Sequence, residues 1–358
     1  MQRVYGLDIL RAIAIISVVL IHFAGVLDFS APNIPYYYLI DGVELFFVLS
    51  GFLIGSILIK EYEKESFNKK SIANFWKRRW FRTLPNYYLI LLLNIVFSYF
   101  GLNNNDFSQL DWKFFLFLQN FDWHFVGFFW ESWSLAVEEW FYLLIPLMLF
   151  LAHTVLKKIE IKKQHIFLVV ILFFLISPLV YRYFILVNEN LDRFWWDTKA
   201  RKIVTFRLDT IVYGVLGAYI KYYYVDFWKK SKYYFLFLGC LLYWFSGRLN
   251  GDVNSLFMKV FHFPYVSLLV LFFIPFFDSI KAGKGLVYKS ITHISKISYS
   301  MYLIHAALVV QVFTTHFKVE TKLESIFVYI LMWTVTIIAS SLLYKYYEKP
   351  ITNFRDKV

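Results

Sequence analysis

GLDILRAIAIISVVLIHF, residues Gly6–Phe23, decides the fold. The stretch is apolar and close to the roughly 20 residues that a helix needs to cross a bilayer, yet it holds Asp8, Arg11 and His22. Arg3 ahead of an apolar run resembles a secretory leader. Two charges inside the run, with no small-residue cleavage site after it, argue instead for a retained first helix. Working outward, comparable runs lie near residues 7–27, 42–59, 83–101, 133–152, 165–186, 203–220, 233–247, 259–278, 296–313 and 325–344, the seventh being the shortest. The expected fold is therefore an all-α integral membrane protein of about ten transmembrane helices, a single domain over 1–358 with no appended soluble domain. Composition agrees: 59% of the 358 residues are hydrophobic, 22% aromatic and only 17% charged, well off the balance of a soluble domain.

The formal net charge of +12 needs no nucleic-acid partner, because basic residues gather in cytoplasmic loops of membrane proteins. With the N-terminus inside, the inner segments hold 25 Lys and Arg, the outer loops nine and the spans three. That asymmetry places both termini in the cytoplasm. The longest connection, from Gly101 to Ser132, carries WKFFLFLQNF, which is expected to lie along the outer interface. A lone Cys240 excludes an intrachain disulfide framework and multi-cysteine metal sites; in an apolar helix it is a poor nucleophile.

Ionisable groups inside spans are costly and mark function by default. Arg11 and His22 are eleven positions apart, nearly whole helical turns, so they share a face, with His22 roughly 16 Å further out. Glu44 near the outer end of the second span, Glu138 and Glu139 in ESWSLAVEEWFY, and Arg207 and Asp209 opening the sixth span are expected near the depth of His22. A histidine beside carboxylates suits proton abstraction, the carboxylate fixing the tautomer and stabilising the imidazolium; the plainer alternative is that these groups tie helices together. Glu139 is expected to be an interfacial neighbour of Glu138, and His305 a satisfied core histidine. His124, His153, His165, His262, His293 and His316 are expected to be solvated. On the inner side, FWKRRWFRTLP (Phe75–Pro85) puts Arg79 and Arg82 on one helix face, where two guanidinium forks can grip phosphates, with Lys77 and Arg78 adding to the field. The alternative is an ordinary positive-inside cluster. No residue set resembles a metal site.

GLDILRAIAIISVVLIHF, DGVELFFVLSGFLIGSIL, RRWFRTLP, WSLAVEEWFYLLIP, FRLDTIVYGVLGAY, ISYSMYLIH and YEKP follow one another over nearly the whole chain. In that order they resemble the acyltransferase 3 family of integral-membrane acyltransferases, whose second-helix signature usually has Asp where this chain has Glu44. The resemblance implies an O-acyltransferase that moves an acetyl or other acyl group from cytoplasmic acetyl-CoA, a co-substrate rather than a bound cofactor, to a hydroxyl of a surface glycan or its lipid-linked precursor. It implies a multi-pass protein of a bacterial inner membrane, with the bilayer, acyl-CoA and the glycan as partners. On that reading His22 is the general base or an acylated nucleophile, oriented by Glu138 or Glu44. Arg79, Arg82, Arg78 and Arg11 hold the donor, while Asp209, Arg207 and Glu139 bind the acceptor or serve structure. Acylation of a small molecule or lipid, and passage of acetyl groups or glycans across the membrane, are the alternatives. Paired halves and broken helices would mark a transporter, and the chain shows no such repeat.

Overall fold

The computed structural model of the protein describes residues 3–25, 41–125, 127–249 and 251–355. Ten long helices account for most of it: α1 Tyr5–Ala24, α2 Gly42–Tyr62, α3 Lys69–Tyr99, α4 Ser132–Leu156, α5 Lys163–Leu186, α6 Leu208–Tyr223, α7 Lys232–Leu249, α8 Phe257–Ser279, α9 Gly285–His316 and α10 Lys322–Phe354. Each lies at one of the ten expected places; positions 26 and 27 of the first expected run fall outside the described residues. Seven of them, α1, α2, α4, α5, α8, α9 and α10, are long and apolar enough to cross a membrane, which makes this a multi-pass membrane protein. The other three fall short on the same measure. Helix α6 has only 16 residues, because the chain from Ile203 to Arg207 stays out of the helix that the apolar pattern suggests. Helix α3 runs unbroken for 31 residues and includes the basic segment expected to precede it.

Side-chain caps start several of these helices. Asp41 accepts from the Val43 amide at 2.9 Å, Asn68 accepts from the Lys70 amide at 2.8 Å, and Thr321 with Glu324 forms a capping box, each satisfying donors a helix start leaves free. Helix α2 is at the centre, packed against α1, α4, α6 and α8. Its approach to α6 is close because a β-carbon at Gly51 would stand 1.9 Å from the Ile211 carbonyl oxygen, and one at Gly214 1.9 Å from that of Val48. Small residues serve helix contacts in membranes in this way.

Buried polar ties hold the rest. Asp8 of α1 takes Ser295 of α9 at 2.7 Å and Arg3 at 2.5 Å. Glu348, in the YEKP motif of α10, takes Asn86 of α3 at 3.0 Å and Ser300 of α9 at 2.7 Å. The connection between α3 and α4 is lashed down by Asn94, whose carbonyl accepts from Asn103 at 2.9 Å and Asn105 at 2.7 Å. Within it the WKFFL segment forms a short 3-10 turn, and Tyr87 and Tyr88 donate to its Phe114 and Phe115 carbonyls, each at 2.7 Å.

Candidate active site

A cavity of about 290 Å³ lies between α1, α2, α3, α4 and α9. Its polar wall carries Arg11 from α1, Arg79, Arg82 and Thr83 from α3, Ser134, Glu138 and Tyr142 from α4, and Ser298, Tyr299 and Tyr302 from α9. The continuity of α3 puts Arg79 and Arg82 there, three residues apart on one face. Tyr142 donates to Glu138 at 2.7 Å and bonds Ser50 of α2 at 2.6 Å. Arg79 Nε is buried with no hydrogen-bond partner among the described residues. Three guanidiniums lining one cavity suit an anionic ligand, phosphate above all, and Glu138 offsets part of their charge. Arg78 is exposed and takes no part in the wall. Glu139 is buried in the bundle rather than interfacial.

His22 is not part of the cavity wall. Its Nδ1 is 2.7 Å from Nε2 of His305, with the two ring planes nearly parallel at 9° and the centroids 4.9 Å apart. His305 is fully buried at the end of a π-helical turn, His305–Val310, and the ring of Tyr302 packs against it at 5.6 Å. Tyr302 also reaches the cavity, where its hydroxyl bonds Ser134 at 2.6 Å. Thus the histidine pair stands behind the Tyr302 end of the cavity. Two backbone amides of the π turn, Ala306 and Ala307, donate to Glu131 Oε1 at 3.1 and 2.7 Å.

The charged groups acting on His22 are Arg201, Asp41, Lys202 and Asp197. Arg201 spans Asp41 at 2.7 Å and Asp197 at 3.0 Å, with its guanidinium 5.0 Å over the Trp133 ring. Lys202 reaches Asp197 at 2.5 Å. Burial pushes the Asp41 and Asp197 carboxyls up, but the Arg201 guanidinium outweighs it, with Lys202 adding at Asp197, and both sit below the usual carboxylate range. Asn120 anchors this patch by donating to the carbonyls of Lys202 at 2.5 Å and Trp133 at 3.0 Å.

The expected grouping of His22 with Glu44, Glu138 and Asp209 therefore does not form. Glu44 is buried in an ion pair with Arg207, and Asp209 in another with Arg182 at 2.6 and 3.0 Å, every side chain here at most 3% exposed. Phe263 separates the pairs, its ring 4.0 Å from the Arg207 guanidinium and 5.4 Å from that of Arg182. Glu138 is bonded to Tyr142, Glu44 to Arg207, and His22 to His305. Equal depth along a bundle says nothing about position around it, and each carboxylate has taken the nearest guanidinium or hydroxyl, since a buried charge without a partner is costly. His262 is likewise not solvated: its Nδ1 is buried without a partner among the described residues, and Trp196 lies edge-on to it at 5.4 Å. Cys240 is exposed on α7. The sequence reading passed over Arg182, Glu131, Arg201 and Asp41; only Arg182, an arginine deep inside an apolar run, carried a plain signal.

A family model described as an acyltransferase domain matches residues 4–345. The O-acetyltransferase OatA of Staphylococcus aureus strain NCTC 8325 is 28% identical over 369 residues, covering 97% of this chain and 57% of that protein. SACOL0978 of S. aureus strain COL is 27% identical over 380 residues, covering 98% of this chain and 57% of its own length. The chain thus spans little more than half the length of these relatives. No solved structure matches it.

Proposed function

We propose, from the premise that this chain belongs to the acyltransferase 3 family, that it transfers an acetyl or similar acyl group from cytoplasmic acetyl-CoA to a hydroxyl of a glycan or its lipid-linked precursor. The observation that carries the reading is the convergence of Arg11, Arg79 and Arg82 on one cavity whose far end abuts the His22–His305 pair. Coenzyme A brings a 3′-phosphate and a diphosphate, which the guanidiniums would hold, and its pantetheine arm would carry the thioester toward Tyr302. The similarity to a protein named as an O-acetyltransferase favours oxygen as the accepting atom.

In this reading all ten long helices cross the bilayer of a bacterial inner membrane with both termini inside. The arginine cavity then opens to the cytoplasm and His22 faces outward. His22 Nε2 takes the proton of the acceptor hydroxyl as it attacks the thioester carbonyl; the C–S bond breaks, and the imidazolium returns that proton to the departing sulfur so that coenzyme A leaves as the thiol. Arg11 lies within the cavity on the helix that carries His22, near the path of the developing charge. The patch of Asp41, Arg201 and Trp133 is the surface an acceptor sugar would meet first.

The test is acetyl transfer from isotopically labelled acetyl-CoA by the protein in inverted membrane vesicles, with glycan mass spectra as readout. Incorporation that needs donor on the cytoplasmic side and disappears in His22→Ala supports the proposal. Transfer that persists in His22→Ala removes His22 from the chemistry. Label that appears on free lipid or small molecules alone would move the acceptor class away from glycans.

A further inference from the structure

In a regular α-helix the Ala306 amide would donate to the Tyr302 carbonyl four residues back. Here that amide turns to Glu131 Oε1 at 3.1 Å, as does the next, Ala307, at 2.7 Å, and the backbone passes into its π turn. The Tyr302 carbonyl receives instead the Nδ1 of His305 at 2.7 Å, with the Met301 carbonyl at 3.1 Å. A carbonyl oxygen can only accept, so His305 Nδ1 must carry the proton. Neutral imidazole has one N–H, which leaves His305 Nε2 as a lone pair. That lone pair faces His22 Nδ1 at 2.7 Å, with the ring planes 9° from parallel and the centroids 4.9 Å apart, the end-to-end arrangement of an N–H···N bond. The proton between them therefore sits on His22 Nδ1, and His22 Nε2 is the free base.

We infer that His305 is a positioning residue which fixes the tautomer of His22, and that Glu131 holds the turn that lets it do so. The chain of command runs from a carboxylate in a loop, through two amides and one released carbonyl, to the ring that faces the outer side. In metal and hydrolase sites a carboxylate usually plays this part for a histidine. Here the carboxylates that act on His22, Asp41 and Asp197, are taken up by Arg201 and Lys202, and a second histidine backed by main chain does the same work without adding a buried charge. The tautomer stands on geometry alone; the consequence for rate rests on His22 being the base of the proposed transfer.

The test uses the full chain in lipid nanodiscs, labelled with ¹⁵N-histidine, and assigns the His22 resonances by their loss in His22→Asn. The expected spectrum has the His22 proton on Nδ1. His305→Leu, which fills the space without accepting, should shift His22 toward the Nε2-protonated form and lower kcat by about 10²–10⁴-fold, the usual worth of a positioned base, with the donor KM within about threefold. His305→Gln offers a carbonyl oxygen in place of Nε2 and should restore much of the Nδ1-protonated form and of kcat. Glu131→Ala should disturb the tautomer as His305→Leu does. A His22 found protonated on Nε2 in the unaltered protein overturns the inference. So does a His305→Leu spectrum that leaves the tautomer unchanged. If no acyl transfer is found with any donor, the proposed function fails while the tautomer measurement still decides this inference.

Discussion

Removing Arg182 should destabilise the protein without touching the chemistry. Its guanidinium holds Asp209 through two bonds of 2.6 and 3.0 Å, donates through Nε to the Val260 carbonyl at 3.2 Å, and bonds the Phe206 carbonyl as well. Both side chains are fully buried. Arg182→Ala leaves an uncompensated buried carboxylate, which costs about 3–5 kcal/mol. Arg182→Met with Asp209→Leu removes both charges and leaves the two carbonyls short of a donor, so about 2 kcal/mol of loss should remain. At roughly 2–4 °C per kcal/mol for a domain of this order, the single variant should melt about 10 °C lower and the pair should recover about half of that. The assay is intrinsic fluorescence of the purified protein in detergent, at one scan rate for all variants because unfolding of such proteins is irreversible. A single-variant shift under about 2 °C, or a pair that melts no higher than Arg182→Ala, refutes the argument. Asp209→Asn that melts normally but transfers no acyl group would return Asp209 to the chemistry.

Arg79→Ala and Arg82→Ala should each raise the donor KM by about 10–100-fold, from charge-assisted bonds of about 1.5–3 kcal/mol, while Arg78→Ala, whose side chain is exposed outside the cavity, should stay within threefold in the same steady-state assay. For the Asp41–Arg201 pair, burial raises the Asp41 carboxyl and Arg201 more than reverses it, so the native value lies below the unfolded one. Its stabilisation is then complete above the unfolded value of about 3.9 and is lost as pH falls through the lower native value. Asp41→Asn, which keeps the helix cap, should melt below wild type at pH 7 and approach it only as pH falls below the unfolded value, through the lower native one. Gly51→Ala drives a methyl to within 1.9 Å of the Ile211 carbonyl and should cost about 3 kcal/mol, seen as a sharp fall in folded yield on size-exclusion chromatography.

The seven helices long and apolar enough to cross a membrane were readable because a bilayer demands a run of apolar residues and lets little else through. The convergence of Arg79 and Arg82 was readable because a three-residue spacing on one helix is local information. What hid was pairing. Glu44 and Arg207 are 163 residues apart and Arg182 and Asp209 are 27 apart, and a sequence gives each residue a height in the bundle but no bearing around it. Glu44, Glu138, Asp209 and His22 therefore looked like one cluster, whereas α6 turns Asp209 toward α5 and α2 turns Glu44 toward Arg207. Glu131 was hidden for a different reason: it stands just before α4, and its bonds go to amides that a regular helix would have used itself.

The same geometry says why one helix carries both Arg11 and His22. Eleven residues of rise separate them by roughly 16 Å, and the cavity that Arg11 lines stops short of His22 at the Ser134–Tyr302 hydrogen bond of 2.6 Å. A wall made of two hydroxyls, with His305 packed against the Tyr302 ring, differs from an apolar plug in what it can pass. On the proposed function this wall is where the thioester carbonyl would arrive, and an acyl donor open to water would be lost to hydrolysis. On the proposed function, one rigid helix thus contributes Arg11 to anion binding, beside Arg79 and Arg82 of α3, and His22 to proton abstraction, on two sides of a polar partition. The donor and the acceptor then meet there without sharing an entrance.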